Sequence, residues 1–134
     1  MLDLFKKYNT FKGFTWEVEA SMSNPAEKIQ HVLAEVQKRI SVVLGEKLIA
    51  IYLFGSNARE EAQPESDIDI FVLINDDNVR VYDDVLLDIS VDISIENDCV
   101  ISIMSDTKVD YDRMKAVKPL YKNIEKEGRK IYAS

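Results

Sequence analysis

Two aspartates at alternate positions of an apolar run constrain this chain more than any other feature. Residues 66–74 read SDIDIFVLI, with Asp67 and Asp69 at the mouth of what is otherwise a buried strand. Aspartate is depleted from strands. Side chains two apart on a strand point to the same face, roughly 6.5–7 Å apart along it. Carboxylates so placed repel, and one is driven to a high pKa unless a cation lies between them. Hard divalent ions of the Mg²⁺ type take oxygen ligands and leave positions open for phosphates. The pair is therefore a candidate site for Mg²⁺ or Mn²⁺. A purely structural role, in which Asp67 and Asp69 do no more than cap the strand entrance, is the competing reading.

Upstream lies the other half of the unit. LIAIYLF (48–54) reads as a strand and runs directly into Gly55-Ser56. A missing Cβ at Gly55 lets the backbone turn and approach a ligand closely. Ser56 offers a hydroxyl and is placed to cap a short helix over Asn57–Ala62. Backbone N–H groups at such a helix start attract anions. Arg59, one turn in, either adds charge or braces the loop. Gly55, Ser56 and Arg59 thus form a candidate cradle for the phosphates of a nucleotide, beside the carboxylate pair.

The segment FGSNAREEAQPESDIDIFV, Gly-Ser followed after a spacer by Asp-any-Asp, resembles the signature of the DNA polymerase β-like nucleotidyltransferase superfamily. Ala58-Arg59 after Gly55-Ser56, and Ser66 before Asp67, make it similar to the minimal nucleotidyltransferases. The tight match covers residues 48–74, with looser similarity from Asn24 to Tyr132. The resemblance implies an α/β (α+β) nucleotidyltransferase fold, a small mixed sheet with helices on one face. It implies catalytic and metal-binding roles for Asp67 and Asp69. It also implies a nucleoside triphosphate substrate, ATP being the first expectation, whose AMP passes to a hydroxyl on a protein or small molecule. Minimal nucleotidyltransferases are often the antitoxin partners of HEPN-type helical toxins. A HEPN-like helical protein, or further copies of the chain, is accordingly the expected partner.

Composition narrows the classes. With 134 residues, 46% hydrophobic and 31% charged, the chain is long enough for one well-formed core and ordinary for a globular domain. No apolar run reaches the length of a membrane span, and no secretory signal opens the sequence. A single cysteine, Cys99, suggests a reducing cytoplasm, and one cysteine with one histidine exclude a structural zinc site. The formal charge of −7 argues against a broad grip on nucleic-acid backbone. Lys115, Lys118, Lys122, Lys126, Arg129 and Lys130 could still form a basic patch, although a solvated helix face accounts for them.

In chain order, residues 1–23 form an N-terminal arm with five aromatics and no clear period, and residues 24–134 form a single nucleotidyltransferase domain. Asn24, Pro25 and Glu27 predict a helix start, Ile29, Val32, Leu33, Val36, Ile40 and Val43 its apolar stripe, and Gly45 its end. His31 lies off the stripe and reads as solvated. Residues 79–97 fit both a strand alternation and a helix stripe. A strand that long would be exceptional, so a helix is expected. Cys99–Met104 is the third expected strand. A helical patch follows around 110–117, then a helix from Pro119 to Gly128, and residues 129–132 either add a strand or lie on the surface.

The superfamily usually places a third carboxylate on the strand after that helix. Here the matching position is Ser102, which carries no charge. If Val85, Leu87, Ile89, Val91, Ile93 and Ile95 instead alternate along a strand, Asp88 or Asp92 would supply the acid. Two functional readings follow. One is an enzyme transferring a nucleotide to a hydroxyl. The other is a catalytically weak nucleotide-binding or antitoxin-type subunit acting through its partner.

Overall fold

The structure, a computed structural model, describes residues 25–59 and 67–134. Helix α1 spans Pro25–Leu44. Its expected cap Asn24 and the arm 1–23 fall outside the described residues. The chain divides into two compact units, Met1–Val32 and Leu33–Ser134. Of the first unit, the described part is the opening of α1, where His31 is exposed as expected. In the second unit α1 buries Leu33, Val36, Ile40 and Leu44, a row at three- and four-residue spacing. Val43, expected on this stripe, is exposed, because the four-residue steps from Val36 and Ile40 lead to Leu44. Gly45 follows with φ +52°, a left-handed residue just past a helix end, where glycine carries no Cβ penalty.

Strands β1 (Leu48–Phe54) and β2 (Ile68–Ile74) form an antiparallel pair. After β2, the Asp76 carboxylate accepts from the Tyr82 hydroxyl at 2.5 Å, and the Asn78 side chain accepts from the amide of Arg80. These contacts fix a single 3₁₀ turn that leads into helix α2, Asp83–Asn97. The ambiguous segment is thus helical, as its length requires. Asp98, at φ 50°, ends it in the left-handed region.

Strand β3 runs Ile101–Thr107, two residues later at its start than the sequence suggests. Cys99 and Val100 are consumed in leaving the helix. The Cys99 amide donates back to the Ser94 carbonyl, and the Ser94 hydroxyl accepts from the Ile101 amide. Thr107 ends the strand and caps helix α3 (Lys108–Met114), its hydroxyl accepting from the Asp110 amide. Helix α4 (Pro119–Glu127) starts on a proline, whose fixed φ suits that position, and strand β4 (Arg129–Ala133) closes the described chain.

The sheet order is β3-β2-β1-β4, with β2 and β3 parallel and the other two pairs antiparallel. Ala50, Phe71 and Leu73 pack against Tyr111, Tyr121 and Ile124 of the two C-terminal helices. The alternate residues Ile51, Leu53, Ile70, Val72 and Ile74 face the other way and are as deeply buried. The two central strands have both faces covered. This is why β2 reads as a nearly continuous apolar run once past Asp69. Helix α2 packs beside β3, and Glu96 near its end accepts from Arg39 of α1 at 2.7 Å.

Phe71 anchors the C-terminal helices. Its ring centroid lies 5.5 Å from that of Tyr111 and 5.4 Å from that of Tyr121, and the two tyrosines stand 4.9 Å apart. Burial, with the carboxylates that accept from the two hydroxyls, raises both phenols above their ordinary range. Glu125 takes the Tyr111 hydroxyl and Asp106 that of Tyr121, so neither polar tip is stranded in the core. Among the described residues no helix is long and apolar enough to cross a membrane.

The Phe71 ring is 1% exposed and touches both terminal helices. Phe71→Ala should therefore cost about 3–5 kcal/mol in chemical denaturation. Val42→Ala, at a position 77% exposed, should stay within about 0.5 kcal/mol of the parent.

Candidate active site

Strand register brings the two halves of the signature together. In the antiparallel β1–β2 pair, Phe54 faces Asp69, so the residue leaving β1 lies over the start of β2. That residue is Gly55, at φ +76°. A Cβ built on it would stand 2.5 Å from Asp69 Oδ2. The glycine is demanded twice, by a left-handed backbone and by a carboxylate that occupies the space a side chain would need. The close approach expected at Gly55 is thus made to the Asp69 side chain itself.

From Gly55 the chain makes one 3₁₀ turn, Gly55–Asn57. The amides of Ala58 and Arg59 both donate to the Gly55 carbonyl, at 3.1 and 3.3 Å. Ser56 lies inside this turn and not at its cap, because the chain begins to coil at Gly55 itself. The longer helix expected over Asn57–Ala62 runs from residue 60 outside the described residues. Asn57 Nδ2 donates to the main-chain oxygen of Asp67 at 2.8 Å, latching the turn to the mouth of β2. Arg59 Nη1 meets Glu127 Oε1 of α4 at 3.2 Å, so of its two expected roles bracing is the one this geometry displays.

Asp67 is exposed, whereas Asp69 is half-buried. Burial, reinforced by the neighbouring Asp67 carboxylate, holds Asp69 above the usual carboxylate range. A desolvated carboxylate beside a second one is an arrangement that a divalent cation would relieve. Two such oxygen donors suit a metal that also takes phosphate oxygens. Among the described residues there is no group of three or more His, Cys, Asp or Glu side chains able to hold a metal.

The candidate third acids lie elsewhere. Asp88 and Asp92 sit on exposed positions of α2, away from the sheet face that carries Asp69. In the parallel β2–β3 register the residue beside Asp69 is Ser102. Paired residues of adjacent strands share a face, so Ser102 lies on the face that carries Asp69. Asp106, on the same strand, pairs with Leu73 four residues farther along and accepts from Tyr121.

Two contributions are invisible to motif reading. The Asn57 latch joins residues ten apart in sequence through a carbonyl, and any residue would supply that carbonyl. The Glu127 partner of Arg59 lies in the lysine- and glutamate-rich helix that reads as a solvated face. Either becomes apparent only once β1 and β2 are paired.

A raised Asp69 pKa has a definite sign in stability. The folded state holds that proton more tightly than the unfolded state, so stability falls as pH rises through the raised pKa. In the absence of divalent ions, Asp69→Asn should raise the melting temperature near pH 7 relative to the parent, and the gap should close towards about pH 4. Added Mg²⁺ should stabilise the parent and leave the variant unmoved. Gly55→Ala should act oppositely to Asp69→Asn, lowering the melting temperature through a left-handed cost of about 1–2 kcal/mol and the collision with Asp69.

Residues 27–134 match the family described as Polymerase beta, Nucleotidyltransferase. Over 49 residues, 37% of the chain, the sequence is 39% identical to the putative protein adenylyltransferase MJ0141 of Methanocaldococcus jannaschii. The chain spans half the length of that relative. Among solved structures, a toxin–antitoxin complex with AMP-PNP superposes with a TM-score of 0.55 at 19% identity, covering 76% of this chain and 73% of the other. The toxin–antitoxin MntA–HepT superposes with a TM-score of 0.50, also at 19% identity, covering 78% and 73%. At such identity these likenesses concern the fold. The match from residue 27 to residue 134 carries more, and by it the chain belongs to the polymerase beta nucleotidyltransferase family.

Proposed function

We propose that the chain transfers a nucleoside monophosphate, AMP from ATP, to a hydroxyl on a protein, with Asp67 and Asp69 as the metal-binding and catalytic pair. The observation that carries this reading is the closeness of the Gly55 turn to Asp69, which sets a glycine turn against a half-buried carboxylate with the exposed Asp67 two residues before it. The family supplies the reaction class, and the resemblance to a putative protein adenylyltransferase supports AMP and a protein acceptor. A Mg²⁺ or Mn²⁺ ion bound by the two aspartates would offset charge on the triphosphate and on the departing pyrophosphate.

The chain's own residues account for the remaining steps. Gly55 and Ser56 receive the β- and γ-phosphates, and Asn57 keeps that turn in register with Asp67. Arg59 joins the cradle by exchanging Glu127 for a phosphate, or serves it by holding the turn to α4. The acceptor oxygen attacks the α-phosphorus, a new P–O bond forms, and the bond to pyrophosphate breaks. The acceptor's proton leaves in the same event and passes to solvent water. Ser102, the residue beside Asp69, is too weak a base to take it.

Ser102 also favours a second reading, a nucleotide-binding subunit that transfers slowly by itself and acts through a protein partner. The fold's likeness to toxin–antitoxin structures supports a protein partner in that role, and the resemblance of the sequence implies a HEPN-like helical one. Removing a general base costs about 10²–10⁴-fold in rate.

Calorimetry with ATP should show binding that requires Mg²⁺ and is lost in both Asp67→Asn and Asp69→Asn. Equal binding by both variants would refute the site. Transfer of label from the α-phosphate of ATP distinguishes the two readings. Ser102→Asp, read alongside the parent, should raise transfer by about 10²–10⁴-fold where the missing base is limiting. Fast transfer by the parent alone, unchanged in Ser102→Asp, would exclude the partner-dependent subunit.

A further inference from the structure

Helix α2 is apolar on two sides. Leu86, Ile89 and Ile93 face the core, as the helix's position beside β3 requires. On its outer side Leu87, Val91 and Ile95 recur every four residues and are 60%, 45% and 76% exposed. Residues four apart lie one above the other, so these three form a continuous ridge along three turns. A helix that is hydrophobic all round is ordinarily enclosed on all sides. Here, among the described residues, nothing covers the second side.

The adjoining row, one residue further on at each turn, is acidic: Asp84, Asp88, Asp92 and Glu96. All four are exposed. Glu96 accepts a charged hydrogen bond from Arg39 of α1 at 2.7 Å, so the end of the row already pairs with a cation presented by a neighbouring helix. Among the described residues Asp84, Asp88 and Asp92 make no ion pair. We infer that the outer face of α2 docks a basic amphipathic helix of a partner protein. The apolar ridge of that helix lies on Leu87, Val91 and Ile95, and its lysines or arginines extend the Arg39–Glu96 pattern along the row.

Charge decides the occupant. A second copy apposing its own α2 would bring the same carboxylates to the contact, and its α2 carries no lysine or arginine to meet them. The pairing of ridge with ridge follows ordinary helix packing, and the acidic row sets the sign of the partner. The inference does not depend on nucleotide chemistry and is tested without nucleotide.

The probe is a pair of synthetic amphipathic helical peptides with the same leucine face, one bordered by lysines and one by glutamates. The lysine peptide should bind the full chain, weaken as salt rises, and shift the backbone amide NMR signals of α2 around Leu87, Val91 and Ile95. The glutamate peptide should not bind. Ile95→Ser, and separately the double variant Asp88→Lys with Asp92→Lys, should each weaken the lysine peptide by about tenfold or more. These positions are exposed, so unchanged melting temperatures should show that the fold is intact. Equal binding of both peptides, shifts that map away from α2, or affinity unmoved in both variants would overturn the inference. So would sedimentation showing a dimer of the free chain that Ile95→Ser dissolves, because the face would then belong to a second copy.

Discussion

The site depends on one steric fact, the absence of a Cβ where β1 hands the chain to its turn. Antiparallel pairing of Phe54 with Asp69 brings the Gly55 backbone so near Asp69 Oδ2 that any side chain would meet it at 2.5 Å. Asp69 is half-buried at this junction, and that burial, with the Asp67 carboxylate beside it, raises its pKa. Asn57 secures the same junction from the other side through the Asp67 carbonyl. The missing side chain at Gly55 is therefore what leaves room for the Asp69 carboxylate.

Much of this was legible in residue order, because the signals are local. Both strands of the hairpin are bounded by polar and glycine residues, and their observed limits, Leu48–Phe54 and Ile68–Ile74, follow the apolar runs. Asp67 and Asp69 draw attention because aspartate opposes strand propensity. The helix at Asp83–Asn97 is apolar on both sides, so its period is ambiguous and length alone decides it. Strand β3 lies at Ile101–Thr107, not at the Cys99–Met104 that the apolar run suggests. Its second half, Ser105-Asp106-Thr107, is polar, and an edge strand can carry such residues because only one side of its ladder is paired. Contacts such as Asn57 with Asp67 and Arg59 with Glu127 were not legible. They depend on which distant segments become neighbours.

Placing Ser102 beside Asp69 turns a question of sequence alignment into one of geometry. The parallel register leaves no freedom to bring Asp88 or Asp92 into that position, since both lie on an outward helix. The chain combines a two-carboxylate centre with a helix whose outer side is apolar and acidic.

Strand β4 lies against β1 on the side opposite β2, with Ile51 facing Tyr132. The β1–β2 hairpin closes a short loop, whereas its second flank must wait for residues far along the chain. Short closures cost less entropy and form sooner. As the polypeptide leaves the ribosome, the aspartate strand can find its partner well before β4 exists. During that interval one edge of β1 is open to other strands. The same strand that completes the sheet thus ends a period in which the nascent domain is exposed to mispairing.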